Sequence, residues 1–221
     1  MADKSSLTPF RSRTIMRIEV DESVWTKWPG VSNADTGVWH DGNGVALSFN
    51  AIGLDRDLYP RLADQLAVRE HYRDLFAASD MGIVECNVLE KDGTKLVKVI
   101  AKKVAQNEPA RYIGSVAIPL SDRSFVFSLL ADEQGITGYR EAIVLDRLLR
   151  EGSTIELDSE AGTIHGWAQD PYFPEHQGPC LRNLSEDEKY DHEFPDHPLT
   201  KVRVRANELV KFVTRPSKSV H

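Results

Sequence analysis

The stretch Arg111-Tyr-Ile-Gly-Ser-Val-Ala-Ile-Pro-Leu120, followed by Ser121-Asp-Arg-Ser-Phe-Val-Phe-Ser-Leu-Leu-Ala131, decides the fold. Tyr112, Val116 and Ile118 alternate with Ile113 and Ala117, and Phe125, Phe127 and Leu129 alternate with Val126 and Leu130. A period of two is the signature of a strand, and apolar residues on both sets of alternate positions mean that both faces of the sheet are covered. Ser121-Asp122 leaves room only for a tight turn, so Arg111–Leu120 and Ser124–Ala131 read as neighbouring antiparallel strands.

Upstream, Gly82–Leu89 and Lys95–Val104 are two more strand-like runs, set off by Asp92-Gly93 and by Asn107-Glu-Pro109. Asp41-Gly42-Asn43-Gly44 supplies positive-φ positions between Val38-Trp39-His40 and Val45–Phe49, which predicts a hairpin. Met16, Ile18 and Val20 alternate with Arg17 and Glu19 as a half-buried strand, and Asp21 to Trp28 reads as a short helical turn ending at Pro29-Gly30. Leu58, Leu62, Leu66, Tyr72, Leu75 and Phe76 recur at helical steps, so a long helix is expected over Asp57 to Ser79, capped by Asp55 or Asp57. A second helix is expected from Gly138 to Arg150, stopped by Gly152. A third begins after Pro198 on the stripe Leu199, Val202, Ala206, Leu209 and Val213.

The fold class expected is α+β: an antiparallel sheet flanked by helices on both faces, an α/β/α sandwich. The expected organisation is a single domain over 10–214. It divides into a sandwich core at 10–151, an acidic, proline-rich excursion at 152–198 and a C-terminal helix at 199–214. Residues 1–9 and 215–221 read as flexible termini. The excursion is broken by Pro171, Pro174, Pro179, Pro195 and Pro198, with a short helix expected near Ser185–Asp191 in which Ser185 and Glu188 fit a capping box. Glu151 to Pro198 carries twelve acidic and two basic residues, whereas Lys201 to Lys218 holds six basic residues against Glu208. The excursion is therefore expected to pack on the body through Trp167, Tyr172 and Phe173, with charge attraction helping to hold the last helix.

Composition narrows the function classes. The chain has 221 residues, is 41% hydrophobic and 28% charged, and has a net charge of −7, enough apolar content for a core and the wrong sign for a phosphate-backbone binder. No apolar run has the length of a membrane span, and the N-terminal residues lack the apolar stretch of a signal peptide, so a cytoplasmic location is expected. Cys86, in a strand pattern, and Cys180, in a loop, read as two thiols rather than as a disulfide scaffold.

Three groups of residues are candidates for chemistry. In the first, Gln134-Gly135-Ile136-Thr137-Gly138 leads into Tyr139-Arg140-Glu141. Glycines ahead of a helix free backbone N–H groups for an anion, and Arg140 would add a fork for a carboxylate. The plainer reading is a strand-to-helix turn with Thr137 as N-cap. The second is His165, His176, His192 and His197, with Cys180, in a segment rich in Asp and Glu. These are metal-ligand types, but without the spacing of a zinc motif, and surface histidines of an acidic loop are the plainer reading. The third is Trp167-Ala-Gln-Asp-Pro-Tyr-Phe-Pro174, whose rings either form an interaction surface or tie the loop to the body. Binding residues are accordingly assigned to Gly135, Thr137, Gly138, Arg140, Trp167 and Tyr172. No catalytic residue is assigned, because no Gly-x-Ser-x-Gly elbow occurs and paired carboxylates such as Asp187/Glu188 sit in an acidic run read as solvated.

The runs Tyr112-Ile-Gly-Ser-Val-Ala-Ile118, Phe125-Val-Phe127 and Gly135-Ile-Thr-Gly-Tyr-Arg-Glu-Ala142, with the element order over Arg11 to Arg150, resemble the PsbP-like α/β/α sandwich superfamily. Its members include the photosystem II protein PsbP, the Ran-binding protein Mog and chaperones of type VI secretion effectors. The resemblance implies a non-enzymatic protein-binding module, a chaperone or adaptor, with no cofactor. The partners expected are another protein or a second copy of the chain, and neither nucleic acid nor membrane. Two alternatives stand beside it. One is a small-molecule- or metal-binding enzyme with its site between the sheet and the 152–198 excursion, and the other is a structural subunit of a larger assembly.

Overall fold

A computed structural model describes residues 20–30, 36–53, 55–106, 108–153, 155–158, 160, 163–178 and 180–212. Its centre is a seven-stranded sheet in the order β1-β2-β3-β7-β6-β5-β4. The strands are β1 (Thr26–Lys27), β2 (Thr36–His40), β3 (Ala46–Gly53), β4 (Gly82–Lys91), β5 (Thr94–Lys103), β6 (Arg111–Pro119) and β7 (Arg123–Asp132). Every neighbouring pair is antiparallel. The chain leaves β3, crosses to the far edge, and walks back strand by strand until β7 meets β3. Tyr112 faces Ala131, Val116 faces Phe127 and Ile118 faces Phe125 across β6 and β7.

The two alternating sets bury against different partners. On one face Tyr112, Val116, Ile118, Phe125, Phe127 and Leu129 pack with Leu199, Val202, Ala206 and Leu209 of α3 (Pro198–Phe212). On the other, Val97, Val99 and Ala117 pack with Val68 and Tyr72 of α1 (Gln65–Ala77) and with Leu58 and Leu62 just before it. Helices on both faces follow from the sequence pattern as expected. Gly114 is what lets α3 lie this close: a Cβ there would come within 2.7 Å of the Val202 side chain.

The long helix expected from Asp57 is two elements. Tyr59–Ala63 is a 3-10 turn with Pro60 near its start, and Asp64 then sits extended at φ −121°, capping α1 through bonds from the N–H groups of Leu66 and Ala67. Asp55 does cap, but it caps the turn just before the 3-10 element, accepting from Asp57 and Leu58; the 3-10 element itself has no side-chain cap. The break rotates the later residues, so Leu66 and Leu75 face solvent although their spacing suggested burial. The strand expected around Met16 lies outside the described residues except for Val20, which packs against the α3 side of the core, and Val213 lies outside them at the other end. Asp21 to Val24 forms a turn that leads into β1.

Past α2 (Tyr139–Arg150) the acidic segment forms two small antiparallel pairs, β8 (Glu156–Asp158) with β9 (Thr163–His165) and β10 (Ala168–Gln169) with β11 (Arg182–Asn183). Two 3-10 turns follow, Leu184–Glu186 and Glu188–Tyr190. The capping box belongs to Asn183 and Glu186, not to Ser185 and Glu188. Ser185 is itself buried, donating its backbone N–H and its hydroxyl to Asn183 Oδ1, so it is already inside the turn it was expected to begin. No helix among the described residues is long and apolar enough to cross a membrane.

Cys86 and Cys180 are free and buried. Burial, more than any neighbouring charge, pushes the Cys86 thiol up to about 12, so almost no thiolate exists at neutral pH. Neither thiol is expected to react with a disulfide reagent at pH 8 in the native protein, and both should react in denaturant. Rapid labelling of native protein would mean that one of these sites opens.

Candidate functional site

The end of the sheet where β7 hands over to α2 carries the first candidate group. Asp132 and Glu133 close the strand, and the turn then uses positive φ twice, +75° at Gly135 and +72° at Gly138. The N-cap position of α2 is Gly138, without a side-chain cap, so Thr137 is not the cap and lies exposed. Glu133 substitutes from outside the helix: its Oε1 accepts the Gly138 N–H at 2.7 Å. A Cβ at Gly138 would meet nothing within 4 Å, so only backbone conformation opposes a side chain there. Gly138→Val is expected to lose about 1–2 kcal/mol from the left-handed conformation alone. Urea unfolding checks this, and an unchanged midpoint would contradict the turn.

Arg140, two residues further, is fully buried. Its Nε donates to the Ser185 carbonyl at 2.8 Å and its Nη1 to Thr200 Oγ1 at 3.0 Å. Its Nη2 donates to the Asp187 carbonyl at 3.1 Å and to Asp191 Oδ1 at 3.0 Å. The fork that would have held a ligand's carboxylate thus holds the 185–191 segment and the start of α3. Arg203 grips the same carboxylate, its Nη1 lying 2.7 and 2.6 Å from the two oxygens of Asp191, and it reaches Glu85 on β4 at 3.2 Å. Beside them Glu186, with no exposure, accepts from Lys102 Nζ at 2.8 Å, from the Tyr112 hydroxyl at 2.9 Å and from the Asn183 N–H at 2.8 Å.

Above this buried network opens a cleft of about 380 Å³. Glu133 and Gln134 line one wall, Phe194 and His197 another, and Ile136 and Tyr139 stand at the rim. The ligating atoms of Glu133 and His197, which both line the cleft, and of Glu141 lie within 4.8 Å of one another. His197 Nε2 is 3.9 Å from Glu133 Oε1, too far to hydrogen-bond. His197 Nδ1 accepts the Leu199 N–H at 3.2 Å, which places the imidazole proton on Nε2. Burial, with the Arg140 guanidinium close by, pushes His197 down to about 3, so the ring is neutral at pH 7. Burial also raises Glu141, and the charges of Glu186 and Glu133 add to the rise. Glu141 Oε2 and His197 Nε2 are buried with no hydrogen-bond partner.

The residues singled out in the sequence do not all meet here. Gly135, Thr137, Gly138 and Arg140 belong to the turn and helix that border the cleft, and Ile136 and Tyr139 are its rim. Tyr172 sits against the opposite, α1 side of the sheet, where its hydroxyl accepts the Cys86 N–H at 2.7 Å and Arg69 stacks on its ring at 3.8 Å. Phe173 lies under Arg73 at 4.4 Å. These rings tie the loop to the body. Trp167 is half-buried, and its carbonyl accepts the Leu184 N–H. His165 and His192 are exposed, and His176 lines a smaller hollow beside Gly82 and Cys180. Among the described residues the four histidines do not gather; His197 alone joins a metal-type group, with Glu133 and Glu141, which the sequence reading passed over.

No family model matches the chain, and no curated protein matches it. Among solved structures it is similar to a crystal structure from Bacteroides thetaiotaomicron, at 7% identity and a TM-score of 0.32. That match covers 52% of this chain and 37% of the other, so the chain spans well under half the length of that protein. It is also similar to the solution structure of cyanobacterial PsbP, CyanoP, from Synechocystis, at 15% identity and a TM-score of 0.35 over 58% of this chain and 79% of that one. At these TM-scores neither likeness carries an argument about activity, and the α+β class rests on the sheet and helices themselves.

Proposed function

We propose that this chain is a protein-binding module without chemistry of its own, an adaptor or chaperone, and that its partner docks at the α2 end of the sheet. One observation carries the reading. Ile136 is 78% exposed, Tyr139 55% and Ile143 38%, and the first two form the rim of the cleft. Tyr139 and Ile143 are four residues apart on α2 and so share one face. Large apolar side chains grouped round a concavity are what a protein interface uses for its anchors. The polar groups nearby support binding over proton transfer, since the Arg140 donors are spent on the fold and His197 stays neutral at pH 7.

Ile136→Asp tests this in a quantitative pull-down from native lysate, with Ile52→Asp, an exposed apolar site on β3, as control. The expected result is a protein retained by the wild type and by Ile52→Asp and lost by Ile136→Asp. An identical set of captured proteins for all three would overturn the reading.

A specific observation favours a second reading, a small-molecule or metal-dependent site. The cleft lies between the end of β7 and the 193–198 segment, the place that reading requires.

A further inference from the structure

We propose that Glu133, Glu141 and His197 form a binding site for a divalent transition-metal ion beside the cleft, which Glu133 and His197 line. The site goes beyond the protein-binding reading and needs no partner. Its residues come from three elements: the end of β7, the first turn of α2 and the residue before α3. Arg140 ties α2 to Thr200 of α3, and the Gly138 N–H holds the Glu133 carboxylate, so the three groups are brought together by the fold.

The geometry favours a cation over a direct bond. The Glu133 and His197 side chains are each 7% exposed, yet 3.9 Å separates Nε2 from Oε1. Glu141 Oε2 and His197 Nε2 have no partner at all. Buried polar atoms without partners are rare and call for an explanation. A divalent ion shared by the two carboxylates and the imidazole satisfies both unpartnered atoms at once. The imidazole selects zinc, manganese or ferrous iron over magnesium and calcium, which prefer oxygen alone. Three protein ligands leave further coordination positions for water. The acids that line the cleft, Asp132, Glu193 and Asp196, are each paired with a basic side chain, so the cation is drawn by the three ligands themselves. The Gly138 N–H on Glu133 Oε1 orients that carboxylate, as outer-shell bonds do at metal sites.

Coordination has one consequence for the fold. His197 now keeps its proton on Nε2 because Nδ1 accepts from Leu199. Binding through Nε2 moves the proton to Nδ1, so metal entry gives up the Leu199 contact. The Leu199 amide resonance is therefore a reporter of coordination that simple surface binding would not move.

The test is calorimetric titration of the chelator-treated full chain with Zn²⁺ and Mn²⁺, with Mg²⁺ as comparison, and amide spectra in parallel. The expected result is one equivalent of Zn²⁺ bound, tighter than Mg²⁺, with a shift of the Leu199 amide. Glu141→Gln and His197→Gln should each weaken binding by about tenfold or more. His192→Gln, at an exposed histidine outside the group, should leave it unchanged. Glu141 has no bond to lose at Oε2, so its variant keeps the test open if His197→Gln folds poorly. Absence of saturable binding at millimolar Zn²⁺ would overturn the proposal. So would one-equivalent binding that survives Glu141→Gln, or that is lost in His192→Gln. The Ile136→Asp comparison is independent of either result, so the two readings fail separately.

Discussion

Arg140→Met is expected to lower the stability of the folded protein by about 3–5 kcal/mol. The side chain has no exposure, and methionine fills most of its length while removing every donor. Asp191 keeps Arg203 as a partner, so that carboxylate is not stranded. The loss falls on the Ser185 carbonyl and on Thr200 Oγ1, which are left without a donor, whereas the Asp187 carbonyl keeps the Tyr190 N–H. Each buried acceptor left without a donor costs about 1–3 kcal/mol, which brings the sum into that range. Arg111 pairs as closely with Asp132, at 2.6 Å, but in the open. Arg111→Met is expected to cost less than about 1 kcal/mol. Urea unfolding of the two variants measures the contrast, and equal losses would mean that Arg140 is not the tie between α2 and the 185–200 segment.

Glu186→Gln is expected to cost a similar amount, about 3–5 kcal/mol, although it changes one atom. Both carboxylate oxygens accept: one from Lys102 and Asn183, the other from Tyr112. Turned toward Lys102 and Asn183 the amide nitrogen faces two donors; turned toward Tyr112 it can donate to the hydroxyl oxygen, but the hydroxyl proton then loses its acceptor. Lys102, whose side chain is 7% exposed, also loses its counter-charge. Removing both charges is milder than removing one, because no unpaired ion remains. Lys102→Met combined with Glu186→Gln should therefore be clearly less destabilised than the sum of the single variants. Strict additivity in that cycle would contradict the pairing.

These residues show where the sequence was readable and where it was not. The sheet and its two covered faces were plain from Tyr112–Ala131, because apolar residues stand at both sets of alternating positions. The α3 stripe was equally plain, and Leu199, Val202, Ala206 and Leu209 are all buried. Local competition hid the start of α1: the apolar spacing runs on through Leu58 and Leu62, but Pro60 and the extended Asp64 reset the phase. The acidic segment misled most. Ser185 to Asp191 looks solvated by composition, and Glu188 is indeed exposed, yet Glu186 is completely buried. The clue lay elsewhere in the chain. Lys98 and Lys102 occupy the same alternating positions of β5 as Leu96 and Ile100, which face the core. A lysine in such a position needs a buried acid, and Glu85 and Glu186 are those acids. Charge attraction was expected to help hold the last helix, and one pairing that does so is buried: Arg203 meets Asp191 and Glu85 with 3% exposure. The metal-type trio was invisible because His197 lies in a different segment from Glu133 and Glu141, and only His197 is drawn from the histidines that stood out.

The whole site depends on the 183–197 segment being as firmly part of the fold as the sheet beneath it. Native-state hydrogen exchange at Asn183 and Ser185, compared with Val99 and Ile100 in β5, tests that directly. The Asn183 N–H is bonded to buried Glu186 and the Ser185 N–H to Asn183. If the network holds the segment, all four amides open with free energies within about 1–2 kcal/mol of one another, as members of one cooperative unit do. Exchange of Asn183 and Ser185 at the rate of an open loop, while β5 stays protected, would show a separately opening strap and contradict a preformed cleft.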